Sequence, residues 1–176
     1  DAAGAWTFTA NSAFDSLNLG DSVAETYNVT SADGTPSTVT ITINGTNDAA
    51  TVSSATVALT ETNAALATAG TLTSADVDNP ANAFTASTTV GAIGTFAIDA
   101  AGAWTFTANS AFDSLNVGDA VAETFNVTSI DGTPSTVTVT INGTNDAATV
   151  SSASVALAET NAALATAGTL TSADVD

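Results

Sequence analysis

The chain has 176 residues, 44% of them hydrophobic, with 18 acidic side chains and no Lys, Arg or His. With nothing to neutralise phosphate, it is excluded as a partner of nucleic acid or of an anionic membrane, and it cannot form an internal salt bridge between side chains. Cys is absent too, so no disulfide framework exists, and only carboxylates, hydroxyls and a single Tyr remain for catalysis, which argues against an enzyme.

The charged fraction is only 10%, and the rest alternates between apolar residues and Thr, Ser or Asn. That pattern predicts a folded domain where a denser acidic chain would be disordered. Residues 1–78 recur without a gap at 99–176, a period of 98, so Trp6 returns as Trp104. Only seven positions differ between the two copies, among them Tyr27/Phe125, Ile41/Val139 and Thr60/Ala158. A period of this length is one globular domain, not a solenoid turn. The expected division is residues 1–48 as the C-terminal part of one repeat, 49–146 as a complete repeat, and 147–176 as the N-terminal part of the next. The chain begins without Met and holds no signal peptide, and it reads as a window on a longer array.

In the complete copy the predicted strands are 50–60, 65–73, 83–89, 94–99, 103–108, 121–129 and 136–143. Phe96 with Ile98, Trp104 with Phe106, Phe125 with Val127, and Val137 with Val139 and Ile141 each share one face, while Thr takes the other. Turns fall at Asp78-Asn79-Pro80, Gly91 to Gly94, Ala101-Gly102, Gly118-Asp119 and Asp131-Gly132-Thr133-Pro134. No stretch has a helical period beyond a short turn near Ser110 to Leu115. The fold class is all-β: tandem immunoglobulin-like antiparallel sandwiches of about seven strands each.

Following the chain up and down places the acids at the two ends of the domain and none in mid-strand. Asp76, Asp78, Asp99 and Asp131 fall where the domain begins; Glu61, Asp113, Asp119 and Glu123 fall at or near the other end. Asp48 and Asp146 lie in the connectors, so stacked domains would meet acid to acid. Oxygen ligands without His or Cys suit Ca²⁺, and the Asp76-Val77-Asp78 spacing, repeated as Asp174-Val175-Asp176, sends two carboxylates to one side of an extended chain.

Five runs carry a family resemblance. Asn44-Gly45-Thr46-Asn47-Asp48-Ala49 is similar to the GTNDAP joint of the VCBS-type repeats, which are bacterial cadherin-like or Ig-like modules of giant RTX adhesins. Thr60-Glu61 resembles their TE pair, Ser74-Ala75-Asp76-Val77-Asp78 their SDVD, Ile98 to Phe106 their LDADGTWTY, and Thr128 to Gly132 their VTDG. The ordered set spans the repeat. Two positions depart from it: Ala50 stands where the joint motif has Pro, and Ala101 replaces the second acid of the DADG turn.

The resemblance implies an extracellular spacer on a bacterial cell surface, with Ca²⁺ at the joints between neighbouring repeats. By that analogy the first joint draws on Asn47, Asp48, Asp76 and Asp78, with Asp99 or Asp131, and the second on Glu61, Asn145, Asp146, Asp174 and Asp176. The implied role is to project a distal binding domain for adhesion or biofilm formation. The alternative is an extracellular filament or matrix subunit in which the open pieces at 1–48 and 147–176 pair between copies of the chain. Trp6 and Trp104 read as inward core residues in preference to a sugar platform, and the Thr runs as solvated strand faces in preference to an ice-binding surface.

Overall fold

The computed structural model describes residues 3–79 and 81–176. Asp1 and Ala2, the first positions of the repeat match, and Pro80 of the expected Asp78-Asn79-Pro80 turn lie outside the described residues. The described residues form strands and turns, with no helix among them. The chain begins with a hairpin, β1 (Ser22–Thr30) and β2 (Pro36–Asn44). The complete copy follows as β3 (Thr51–Val52), β4 (Ala55–Thr60), β5 (Ala67–Thr71), β6 (Ser74–Ala75), β7 (Ser87–Val90), β8 (Gly94–Ile98), β9 (Ala103–Ala108), β10 (Ala120–Thr128) and β11 (Pro134–Asn142). A short pair, β12 (Thr149–Val150) and β13 (Ser172–Ala173), closes the chain.

Two sheets make the central sandwich. One has the order β10-β11-β4, the other β5-β9-β8-β7, and β3 pairs with β6 beside them. The alternation read from sequence is the alternation of burial: Phe96, Ile98, Trp104, Phe106, Phe125, Val127, Val137, Val139 and Ile141 are all buried and form one core with Leu72, Phe84 and Ile93. Phe96 lies at the centre of an aromatic stack, with ring centroids 4.9 Å from Phe125 and 5.9 Å from Trp104. Each such pair contributes about 0.5–1.5 kcal/mol beyond its buried area. Gly70 admits the Trp104 indole, since a Cβ there would lie 2.6 Å from the ring.

The expected elements need three corrections. The first strand is not continuous over 50–60. It pairs with β6, breaks at Ser53, and resumes as β4 on the other sheet. Ser53 makes the switch: its N–H donates to Thr73 O at 2.9 Å, its Oγ accepts from Thr73 N–H at 2.8 Å, and its carbonyl accepts from Ser135 Oγ at 2.6 Å. Secondly, the sandwich is not wholly antiparallel, because β4 runs parallel to β11, from Ala55 against Val137 to Thr60 against Asn142. Thirdly, the strand expected at 83–89 begins later. Phe84 bridges to Ser129, and Thr85 N–H donates to Thr128 O at 2.9 Å, before β7 crosses to the opposite sheet.

The flanking copies act as controls. Trp104 is 3% exposed, whereas its copy Trp6 is 60% exposed and lies outside any strand. The sequence is the same over Ala5 to Ala10 and Ala103 to Ala108, but only the second segment has strands beside it on both sides, β5 and β8. Pairing partners, not local propensity, make that strand.

Candidate metal centre

Glu61 ends the parallel ladder. Its N–H donates to Asn142 O at 2.8 Å, which carries the pairing one residue past β4 and turns the side chain inward, where it is 2% exposed. One carboxylate oxygen, Oε1, accepts from the Thr144 N–H at 3.0 Å and from the Thr144 hydroxyl. The other, Oε2, is buried and has no hydrogen-bond partner.

Two more carboxylates come to the same place. Asp113 sits in the segment that crosses the end of the sandwich between β9 and β10. The residue before it, Phe112, has a left-handed backbone with φ 67°, and Leu115 N–H closes the turn onto Phe112 O at 3.0 Å. Asp146 arrives from the connector after β11, and its N–H donates to Asp176 Oδ2 at 3.2 Å. One oxygen from each of Glu61, Asp113 and Asp146 lies within 4.8 Å of the others. Asp113 Oδ1 and Asp146 Oδ2, like Glu61 Oε2, are buried without a partner.

That spacing fits a hard cation. An ion binding oxygen at about 2.3–2.6 Å holds opposed ligands roughly 4.6–5.2 Å apart. Three unpaired buried oxygens are costly unless something neutralises them, and the chain has no cationic side chain to do so. The strain is seen at Asp146. Burial, and then the charges of Glu61, Asp113, Asp176 and Asp174, push its carboxyl above the usual carboxylate range. Asp174 and Asp176 therefore act on this cluster from the following repeat. Asn145 Nδ2 donates to Asp146 O at 2.6 Å and shapes the connector.

The first joint repeats the Asp146–Asp176 contact 98 residues earlier, though not the cluster around Glu61. Asp48 N–H donates to Asp78 Oδ2 at 3.0 Å, and Asn47 Nδ2 donates to Asp48 O at 2.8 Å. Asp78 is 3% exposed, and its Oδ1 is buried without a partner. Asp76 Oδ1 accepts from the N–H groups of Asp78 and Asn79, each at 3.3 Å. The Asp48 amide keeps Asp78 ionised below the usual range, while Asp76, against Asp78, is pushed above it. Asn18 Nδ2 donates to Asp78 O, which ties the first repeat to the second. Asp15 and Asp48 share the lining of a cavity of about 100 Å³ with Gly45 and Thr46.

The other expected residues are placed differently. Asp99 Oδ1 accepts from Ala101 and Ala103 N–H at 2.9 Å each, inside its own hairpin turn. Asp131 accepts from the Ser129 and Thr133 hydroxyls, from Thr133 N–H, and from Ala50 N–H. Burial works to raise the Asp131 carboxyl, but these donors outweigh it and hold it far below the usual range. Glu123 lies near the start of β10, inside the strand expected at 121–129, and accepts from Ala92 and Ile93 N–H at 3.0 Å each, which ties the β7–β8 turn to the opposite sheet. Asp113, and its copy Asp15, were not among the expected ligands. Their signal in the sequence was an acid repeated in an otherwise apolar and polar crossing segment.

The chain has been compared with known proteins. Among curated proteins none matches it. The model of the bacterial cadherin-like domain matches residues 47–143, more than half of the chain, and takes in the central sandwich from β3 to β11. The chain therefore belongs to the bacterial cadherin-like domain family.

Proposed function

We propose that the chain is a segment of spacer repeats from a large bacterial surface adhesin, stiffened by Ca²⁺ at the joints between domains. The observation that carries this reading is the cluster of Glu61, Asp113 and Asp146, with three buried oxygens lacking partners, facing Asp174 and Asp176 of the next repeat. Glu61, Asp113, Asp146, Asp174 and Asp176, with Asn145, hold the ion at the second joint. Asp15, Asp48, Asp76 and Asp78, with Asn47, do so at the first. Asp99 is left to the turn it closes, and Asp131 to its own turn and the Ala50 amide.

The ion's contribution is charge: it neutralises carboxylates from two successive repeats and so fixes one against the other. Extracellular modules bind Ca²⁺ at about 10⁻⁴–10⁻³ M, so the joints stay empty in a cytosol and fill outside the cell. Membership of a structural and adhesive family supports a role without catalysis. The filament alternative rests on the open pieces at 1–48 and 147–176.

Small-angle scattering of the chain with and without Ca²⁺ tests the proposal. The expected result is a larger radius of gyration and a straighter profile with Ca²⁺, and reversal by EDTA. Calorimetric titration gives the second arm. Glu61→Gln should weaken binding at the second joint by at least about tenfold, the loss that even an outer-shell partner causes. A scattering curve indifferent to EDTA, together with no heat of Ca²⁺ binding, would end the reading.

A further inference from the structure

The connector that enters the central domain is held by two carboxylates at alternate residues. Asp78 receives the Asp48 N–H, and Asp131 receives the Ala50 N–H, each at 3.0 Å. The two acids are not equivalent. Asp78 keeps one buried oxygen without a partner. Asp131 has four donors: the Ser129 hydroxyl and Thr133 N–H on Oδ1, and the Thr133 hydroxyl and Ala50 N–H on Oδ2. A carboxylate offers about four acceptor positions, so Asp131 has none left for an ion.

We propose that Asp131 is a positioning residue that works without metal, fastening the connector at Ala50 to the β10–β11 turn and so fixing where Asp48 stands before a cation arrives. Two observations meet here. Asp33, the copy of Asp131, makes bonds of the same kind inside its own turn, to the Ser31 hydroxyl and to Thr35 N–H at 3.2 Å. Those bonds belong to the turn; the bond to Ala50 is what the joint adds. Ala50 is buried directly before β3, where an amide without an acceptor is unfavourable, and Asp131 supplies the acceptor.

The inference concerns the joint of the reading above, but the fastening itself does not need Ca²⁺, so the two can fail separately. The experiment is amide exchange by NMR on the whole chain in EDTA, followed by Ca²⁺ titration. In the wild type the Ala50 amide should be protected in EDTA. Asp131→Ala should speed its exchange about tenfold, the scale of one lost hydrogen bond. The Asp48 amide, two residues back on the same connector, should also exchange faster, but by a smaller factor because Asp78 still holds it. Asp131→Asn keeps one acceptor oxygen where Thr133 N–H and Ala50 N–H use two, so it should protect Ala50 only in part, between the wild type and Asp131→Ala. Both variants should bind the same number of Ca²⁺ ions as the wild type. An unprotected Ala50 amide in the wild type overturns the proposal, even if Asp131→Ala fails to fold. Unchanged exchange in a folded Asp131→Ala, or loss of a bound ion in either variant, also overturns it. If the wild type binds no Ca²⁺, the spacer reading falls and the exchange result still decides the role of Asp131.

Discussion

Gly143 opens the run Gly143-Thr144-Asn145-Asp146, and its missing side chain lets the connector pass the crossing segment. A Cβ there would fall within the carbonyl oxygens of Leu115 and Asn116, which are backbone and cannot swing away. The close approach is held by Gly143 N–H donating to Asp119 O at 2.9 Å. Gly143→Ala should cost about 1–3 kcal/mol, the range for overpacking a tight contact, measurable by chemical denaturation. It should also shift Thr144, and with it the hydrogen bonds on Glu61. The acids set a pH response in EDTA. Asp146 has a raised pKa in the folded state, so its contribution is fully present below the unfolded value near 3.9 and is lost as pH rises through the folded value. Asp131 is lowered, so its contribution is present above about 3.9 and is lost as pH falls through the folded value. Stability without metal should therefore rise as pH drops from 7 toward about 4 and fall below that. A thermal-melt series in EDTA checks the sign, and a melting temperature that only declines on acidification would contradict the assignment at Asp146.

Strand by strand, the inward faces were legible because period-two alternation is written in the sequence and the core needs it. Val137, Val139 and Ile141 are fully buried, as their spacing requires. The partner of a strand is not written the same way. Val57 and Leu59 alternate identically whether β4 pairs parallel or antiparallel, so the parallel match to β11 was invisible, and so was the crossing at Ser53. The acidic ends were read from turn positions, and the structure brings Glu61 and Asp146 into one cluster, with Asp176 hydrogen-bonded to the Asp146 N–H. Asp113 was read at the same end as Glu61 but not as a ligand, because its close approach depends on the left-handed backbone at Phe112, a conformation that no local pattern announces for a bulky residue. Phe96 shows how far the sheets depend on each other. It lies on β8 but stacks on Phe125 of β10, across the sandwich. Phe96→Ala should cost about 3–5 kcal/mol on denaturation, and should expose Trp104 enough to shift its fluorescence to the red.

Across the whole molecule, identical ends meet at each joint, so every connector faces the same problem of like charge. The chain carries 18 negative charges and offers no side-chain answer of its own. The parallel pairing of β4 with β11 has a further consequence. The connector enters above Ala55 and leaves below Asn142, at opposite ends of two strands that lie side by side. A pull along the array would slide these strands past each other, loading their rungs together in shear, where a hairpin would open one rung at a time. The rungs from Ala55 to Thr60 are backbone hydrogen bonds, so single-molecule stretching should find the rupture force of the central domain largely kept in EDTA. Slack in the tether would come from the joints, and toughness from the domain.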